Sequence, residues 1–477
     1  MIQKIEMSLR SFYIFNSNLS KKEGEEENKI LFYYPSDIEL DNKKNDIGLS
    51  EAIIQFSSKF STTNGCKAVH TQKTTQLFFE PEKDYWMVMV INVPKEIKLK
   101  DGVEEAEYRG GEVHDKVFRA VLEQSYRMFR LFAGKFSSNM IGDSELTQAE
   151  YLRKKLNDFF SMYVLTLKLP ACDVLDALRT IQYIPLEKAL FLRVHNFINM
   201  IQATFPTIEN TIFFYNDQVV CSKLDPHDLY CIHEYLLGTV FPKVTNIELS
   251  GAALQRSTSQ DGYRQGSFIN GPEDSETFPN STKAPKVYLK TGDGELKCYH
   301  KIIYRAMSAT LCLFVDVNSE VTDDFFFELH SFMGPQLSSI ASDIGESLKA
   351  KIPNTVATAG TPTADITDSN SPKFLFINEL SLIHHTNIYT DHRRPKTCNI
   401  PPNVMNLIAD LHEDKTSDNL EEVHVKCIND YWIVKKSSNW RQFYVIISNN
   451  RATLLDITNE AKKIFDQEIT NDVFFDK

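Results

Sequence analysis

The chain has 477 residues, of which 42% are hydrophobic and 24% are charged, and it carries a formal net charge of −12 at pH 7. This composition is typical of a globular protein, and the length predicts about three domains of roughly 150 residues each. The acidic balance argues against nucleic acid as the main partner and against purely electrostatic attachment to anionic lipid, because both need a basic surface. The longest apolar run, Trp86–Val93, is too short to cross a bilayer, and no apolar signal region follows the first residue, so we expect a cytosolic protein.

No motif in the sequence indicates covalent chemistry or a cofactor. The eight cysteines are scattered singly, which favours buried thiols over metal ligands. A phosphate-binding loop, a dinucleotide-binding glycine motif and a nucleophile elbow are all missing, and Gly292 and Gly294 fall in a predicted hairpin turn. The pair His384-His385 has no third metal ligand near it in the sequence. We therefore expect an interaction protein with no cofactor, no metal site and no catalytic residue.

The first 170 residues follow the order β-β-α-β-β-β-α-α. The predicted elements are strands at 11–15, 30–34, 66–72, 75–80 and 85–93, a helix from near Asp46, and two long closing helices. The continuous apolar run at the fifth strand predicts a central position, buried on both faces. In the first helix, Leu49, Ile53, Phe56 and Phe60 recur at helical spacing and share one face.

Residues 183–351 repeat this order behind a connecting helix. The predicted elements are helices at 187–204 and 322–349, a helix capped by Asp225 and Pro226 that stops at Gly238, and strands at 211–215, 218–221, 286–290, 296–304 and 308–317. The intervening residues 243–284 are rich in Ser, Gly, Asn, Gln and Thr, which predicts a flexible insertion.

A linker of Pro, Thr, Ala and Ser at 352–372 precedes a shorter third repeat, 373–477. Its predicted elements are strands at 373–377, 382–389, 422–427, 430–436 and 441–447 and helices at 402–413 and 451–465. Strands grouped in twos and threes, without strict βαβ alternation, favour a mixed α+β fold. We expect each domain to be a five-stranded, mainly antiparallel sheet flanked by helices.

Three segments carry a family resemblance: Ser8-Leu-Arg-Ser-Phe-Tyr-Ile-Phe-Asn16, Trp86-Met-Val-Met-Val-Ile-Asn-Val93 and Thr211-Ile-Phe-Phe-Tyr-Asn-Asp-Gln-Val219. The chain resembles the metazoan Ccz-one family of vacuolar fusion proteins over nearly its whole length, most clearly over residues 8–348. The resemblance implies that the three repeats are longin domains.

The resemblance also implies a partner and an activity. Members of the family pair with a second tri-longin protein, Mon-one, and the pair promotes GDP release from the Rab-seven class GTPase of the late endosome; in animals a larger scaffold subunit joins. The implied role is endosome maturation, and fusion of endosomes and autophagosomes with the lysosome or vacuole, by a cytosolic protein recruited peripherally to those membranes. Such an exchange factor binds one conformation of the GTPase more tightly than another, and this needs no covalent chemistry. A non-catalytic trafficking scaffold that binds coat or tethering proteins is the alternative.

The resemblance implies that the first longin domains of the two partners form the GTPase platform, with the second and third domains supporting assembly and membrane contact. On the first helix, the residues off the apolar stripe are therefore candidates to face the GTPase or the partner subunit: Glu51, Ile54, Ser57 and Lys59. An ordinary solvated helix face explains the same four residues equally well.

Two further segments are candidates for membrane contact. Ile247, Leu249 and Leu254 form a short apolar face in the insertion, for which a disordered loop is the alternative. The basic residues of the third repeat are candidates to contact phosphoinositide headgroups, with a solvated basic loop as the alternative: Arg393, Arg394 and Lys396.

Overall fold

The computed structural model forms two compact units, one of Met1–Arg179 with Tyr389–Lys415 and one of Thr180–Ile388 with Thr416–Lys477. It describes residues 2–469 except 21, 23, 61–64, 101–102, 143–144, 185, 244–265, 273–281, 352–371, 390–397, 399, 415–421, 428–429 and 450–451. The predicted linker therefore lies almost entirely outside the described residues.

The described elements follow the predicted order closely. The strands are β1 (Ile2–Ile5), β2 (Ser8–Asn16), β3 (Ile30–Tyr34), β4 (Ala68–His70), β5 (Thr74–Glu82), β6 (Tyr85–Asn92), β7 (Lys95–Lys100), β8 (Val103–Tyr108), β9 (Ile181–Gln182), β10 (Ile208–Tyr215), β11 (Gln218–Ser222), β12 (Ser267–Gly271), β13 (Thr282–Lys283), β14 (Lys286–Lys290), β15 (Leu296–Ala306), β16 (Ala309–Asp316), β17 (Lys373–Asn378), β18 (Ile383–Thr386), β19 (Glu422–Lys426), β20 (Tyr431–Ser438) and β21 (Arg441–Ser448). The helices are α1 (Leu40–Phe60), α2 (Asp115–Ala133), α3 (Glu145–Thr166), α4 (Val174–Leu178), α5 (Lys188–Thr204), α6 (Pro226–Tyr235), α7 (Asp323–Lys351), α8 (Pro402–Glu413) and α9 (Leu454–Ile469).

The main sheet of the first unit has the order β3-β2-β6-β5-β4, and neighbouring strands in it pair antiparallel. The apolar strand β6 lies in the centre, as its continuous hydrophobic run predicts. Alternate side chains of the sheet face α2 and α3 on one side and α1 on the other. The predicted stripes of α2 and α3 form the larger core, where Phe12, Phe129 and Phe160 lie in ring contact.

A single carboxylate, that of Glu82, connects the end of β5 to the end of α2. It accepts hydrogen bonds from the Tyr126 hydroxyl (2.8 Å), the Phe136 backbone N–H (2.5 Å) and both the N–H (3.0 Å) and the hydroxyl (2.5 Å) of Ser137. Hydrogen bonds to an ionised acceptor are stronger than neutral ones. Glu82 therefore fixes the turn after α2 to the sheet.

We expect Glu82→Ala to destabilise the protein by about 2–4 kcal/mol, because it removes the acceptor for four donors, two of them backbone N–H groups. The shift of the urea-unfolding midpoint measures this loss. Glu80→Ala is the matched control, since the exposed Glu80 accepts, among the described residues, the N–H of Asp84 alone. Equal shifts for the two variants would contradict the assignment.

A second, three-stranded sheet of order β1-β7-β8 adjoins the main one and is not predicted from the sequence. Its strands are rich in charged residues, Lys in β7 and Glu in β8. The sheet is held by charge pairing, since the buried Glu96 contacts Arg109 (2.7 Å) and Lys4 (3.5 Å). Short strands with so few apolar residues give only a weak hydrophobic periodicity.

The second unit contains the sheet β11-β10-β16-β15-β12-β13, with β14 also paired to β15. Helices α5 and α7 cover one face. Strand β12 corrects the prediction that residues 243–284 are flexible throughout, because Ser267–Gly271 pairs with β15. Phe268 is its anchor and packs edge-on against Tyr304 and Phe326. The predicted helix stop at Gly238 is also wrong, since a π-helical turn, Leu236–Val240, continues α6.

The remaining sheet of the second unit has the order β19-β20-β21-β17-β18-β9, and α9 packs on β20 and β21. The segment Ile181–Ile184 joins the two sheets of this unit. Its β9 residues pair in parallel with β18, and directly afterwards Tyr183 bridges to Val219 of β11. One short extended segment therefore completes an edge of each sheet.

Helix α8 belongs to the first unit, although its neighbours in sequence form strands of the second. It packs against α4, and the Asp410 carboxylate contacts Lys116 at the start of α2 (3.0 Å). The predicted third domain, 373–477, is thereby divided between the two units.

Candidate functional site

Helix α1 is held on its sheet by polar side chains near the middle of the helix. The Ser50 hydroxyl is fully buried and lies 2.8 Å from the Tyr13 hydroxyl of β2. The side-chain amide of Gln76, on β5, donates to Tyr13 (2.8 Å) and to Ser50 (2.9 Å). One turn earlier, the Tyr33 hydroxyl donates to the Asp46 carboxylate (2.6 Å). The helix is thus connected to three strands by directional contacts.

The two hydroxyls and the amide hydrogens of this cluster all have partners. The Ser50 hydroxyl donates to the Asp46 carbonyl (2.9 Å), which leaves its two lone pairs to accept from Tyr13 and Gln76. Tyr13 donates to Ser50 and accepts from Gln76, whose two amide hydrogens are both used. A network without a missing partner fixes one orientation of the groups that form it.

Electrostatics keep both tyrosines protonated, as this network requires. Burial raises the pKa of the Tyr13 hydroxyl well above its ordinary value. Burial also raises the pKa of Tyr33, and the hydrogen bond to Asp46 adds to that shift. The two rings stack with their centroids 5.2 Å apart. Both hydroxyls therefore remain donors at every physiological pH.

The apolar stripe of α1 lies at the surface. Leu49, Phe56 and Phe60 are 56%, 66% and 76% exposed, and the two phenylalanine rings contact each other with centroids 4.8 Å apart. With about 100° between successive residues of a helix, this stripe lies on a flank roughly 100° from Ser50. An exposed aromatic pair is unusual on a helix that buries Ile47 and Ser50 against its sheet, and aromatic residues are typical anchors of protein interfaces. We call these three residues the α1 stripe.

The four residues predicted to face a partner lie outside the α1 stripe and do not share one side of the helix. Glu51 pairs with Lys29 (2.8 Å) and is mostly buried, and Ile54 packs against the sheet. The Ser57 hydroxyl accepts the N–H of Cys66 (3.1 Å), and only Lys59 is exposed. Three of the four residues are therefore engaged in contacts within the first unit. A role for these residues in GTPase binding stays a prediction.

The residues predicted to contact a membrane lie outside the described part of the chain: Ile247, Leu249, Leu254, Arg393, Arg394 and Lys396. Among the helices that the structure describes, none is long and apolar enough to span a bilayer.

Lys301, a fully buried lysine of β15, is not predicted as a notable residue from the sequence. Its ammonium lies 4.1 Å from the centre of the Tyr235 ring and has no hydrogen-bond partner among the described residues. Burial lowers its pKa to about 8. The pattern Tyr299-His300-Lys301-Ile302-Ile303 contains the relevant evidence, since a lysine stands where strand alternation requires an inward side chain.

Family comparisons agree with this architecture. A model described as the first longin domain of INTU, CCZ1 and HPS4 matches residues 9–134, and models for the second and third longin-like domains of Intu match 208–334 and 368–464. The chain is therefore a protein of three longin-like domains.

Individual relatives show to which family of longin-domain proteins the chain belongs. The chain is 37% identical over 477 residues to the vacuolar fusion protein CCZ1 homolog of Xenopus laevis, covering 98% of both chains. It is 35% identical over 476 residues to that of Nematostella vectensis, covering 99% of both, and 27% identical over 470 residues to that of Dictyostelium discoideum, covering 96% of both. The chain belongs to the CCZ1 family of vacuolar fusion proteins, the family identified above as Ccz-one.

Proposed function

We propose that this chain is one subunit of a guanine-nucleotide exchange factor for a Rab-seven class GTPase, and that it acts together with a Mon-one tri-longin subunit. The observation that carries the proposal is the α1 stripe, an exposed aromatic surface on the first longin domain of a vacuolar fusion protein. In this proposal the stripe contacts the GTPase directly. Recruitment to late endosomes and lysosomes, and a third scaffold subunit in animals, belong to the same proposal.

The mechanism follows from linkage. A surface that binds the GTPase more tightly in its nucleotide-free conformation lowers nucleotide affinity by the same coupling free energy. An apolar helix flank suits this role, because a Phe pair acts by packing against the GTPase and needs no proton transfer. The chain's own contribution is therefore a rigid, correctly oriented surface.

The test is release of a fluorescent GDP analogue from the Rab-seven class GTPase. We expect the purified pair of tri-longin subunits to accelerate release by at least about 100-fold, a coupling of roughly 3 kcal/mol. Release at the intrinsic rate, combined with GTPase binding that ignores the nucleotide state, would instead identify a trafficking scaffold. The GTPase of an unrelated compartment serves as the specificity control.

A further inference from the structure

The orientation of α1 on its sheet decides whether the α1 stripe is available to a partner. We propose that Tyr13, Ser50 and Gln76 act as positioning residues that set the rotation of α1 about its own axis and so keep the stripe at the surface. This inference rests on the proposed function, because it explains how the proposed docking surface is maintained. None of the three residues belongs to the stripe itself.

A different rotation of the helix would bury a different set of apolar side chains, because the observed one packs Ile47, Ile53 and Ile54 against the sheet. Turning α1 by about 100° would bring Leu49, Phe56 and Phe60 onto the sheet, in the orientation that their spacing predicts for a core-facing helix. Two exposed phenylalanines and a leucine favour that rotation, because apolar side chains gain free energy on leaving water. Burial of apolar side chains, which each rotation provides in part, therefore does not by itself select the observed one.

The polar cluster supplies that cause. Tyr13 is 1% exposed, so after rotation its hydroxyl would lose Ser50 as an acceptor and one Gln76 amide hydrogen would lose its partner, while the Gln76–Tyr13 bond within the sheet would remain. A buried polar group that loses its partner is strongly unfavourable. Ser50 is the one α1 residue whose side chain contacts both groups, at 2.8 and 2.9 Å. The sheet thus selects the rotation that presents Ser50.

A second contact on the same side supports this rotation. The Tyr33–Asp46 hydrogen bond lies one turn before Ser50, and the Ser57–Cys66 bond lies two turns after it. The rotation set at these positions is carried along the rigid helix to Phe56 and Phe60. Removing only the central cluster weakens the selection at its strongest point.

The experiment replaces the cluster by apolar side chains of similar size, Tyr13→Phe, Ser50→Ala and Gln76→Leu in one variant of the full chain. Hydroxyl-radical footprinting with mass spectrometry then measures the exposure of individual rings. We expect oxidation of Phe56 and Phe60 to fall about fivefold or more, from exposures of 66% and 76% towards buried values. The thermal midpoint should stay equal or rise, because an apolar interface replaces a polar one.

Internal references and controls make the result decisive. Phe327 (60% exposed) and the buried Phe160 report labelling efficiency in the same sample. Ser58→Ala, an exposed change on the same helix, should leave the oxidation of Phe56 and Phe60 unaltered. If the triple variant is misfolded, Ser50→Ala alone decides, with an expected twofold or greater fall, because it removes the α1 side chain that bonds to both Tyr13 and Gln76.

A folded variant in which Phe56 and Phe60 remain as reactive as in the natural chain overturns the proposal. A lowered midpoint with unchanged ring exposure does so too, because it describes a merely structural cluster. Footprinting is carried out without the GTPase, so its result does not depend on the nucleotide-release assay. If the natural pair of subunits fails to accelerate GDP release, the proposed function is wrong. The oxidation of Phe56 and Phe60 still tests whether the polar cluster orients α1.

Discussion

Replacing both phenylalanines of the α1 stripe, Phe56→Ala with Phe60→Ala, is expected to reduce kcat/KM for nucleotide release about 100-fold. Truncating a central aromatic anchor costs about 2 kcal/mol or more, and two rings in mutual contact contribute less than the sum, so we expect roughly 3 kcal/mol for the pair. The rings lie 4.8 Å apart and largely in solvent. Stability should therefore change by less than about 0.5 kcal/mol.

The measurement is the dependence of the GDP-release rate on the concentration of the paired subunits. Leu454→Ala with Leu455→Ala is the matched control, because these residues are also exposed, at 54% and 69%, and lie on α9. The control pair should exchange nucleotide normally. A full exchange rate in the Phe variant would falsify the assignment of the α1 stripe to the GTPase.

The second large effect concerns Lys301 in the second unit. We expect Lys301→Met to stabilise the protein by about 3 kcal/mol at pH 7, because a buried lysine whose pKa falls from 10.5 to about 8 opposes folding while it is charged. Met has a similar length and needs no hydrogen bond. Contact with the Tyr235 ring offsets part of this cost in the natural chain, and Met retains apolar contact with that ring.

The dependence on pH gives an independent check. Between about pH 8 and 10.5 the unfolded chain binds a proton at Lys301 that the folded chain has released. Stability of the natural chain therefore rises with pH over this interval, and the advantage of Lys301→Met shrinks towards zero by its upper end. Urea-unfolding midpoints at pH 7, 8, 9 and 10 measure the difference between the two proteins.

Lys297→Met on the same strand is the control for this effect. Lys297 is partly exposed and pairs with Asp316 (2.8 Å) and Glu209, so its replacement should lower stability by at most about 1 kcal/mol. An equal or lower midpoint for Lys301→Met at pH 7 would show that the buried ammonium is better compensated than its contacts indicate.

Local patterns in the sequence were sufficient for most of the fold. The apolar run of β6 placed it in the centre of its sheet, and Asp225 with Pro226 marked the start of α6, where the Asp225 carboxylate accepts the N–H of His227 (3.0 Å). These elements depend on neighbours in sequence. The β1-β7-β8 sheet escaped prediction because its Lys and Glu residues pair across strands.

The candidate site required information that no local pattern contains. The spacing of the α1 stripe correctly indicates a helix and misplaces its outward side, because the deciding groups lie elsewhere in the chain. Gln76 bonds to Tyr13 across 63 residues, and both act on Ser50 only once three strands have assembled. Hydrophobic periodicity shows which residues of a helix share a face. The polar groups of the opposing sheet help to decide which face of the helix packs against it.

The segment Ile181–Ile184 has a practical consequence for dividing this protein into fragments. Fragments that follow the family matches would begin at residues 208 and 368, and both would omit this segment. The Ile181 N–H that donates to the Leu382 carbonyl, and the Ile184 N–H that donates to Val219, would be lost together. Two bare strand edges would then be available to pair with other molecules, the usual start of aggregation. The smallest well-behaved piece of the second unit therefore begins before Ile181 and keeps both of its sheets.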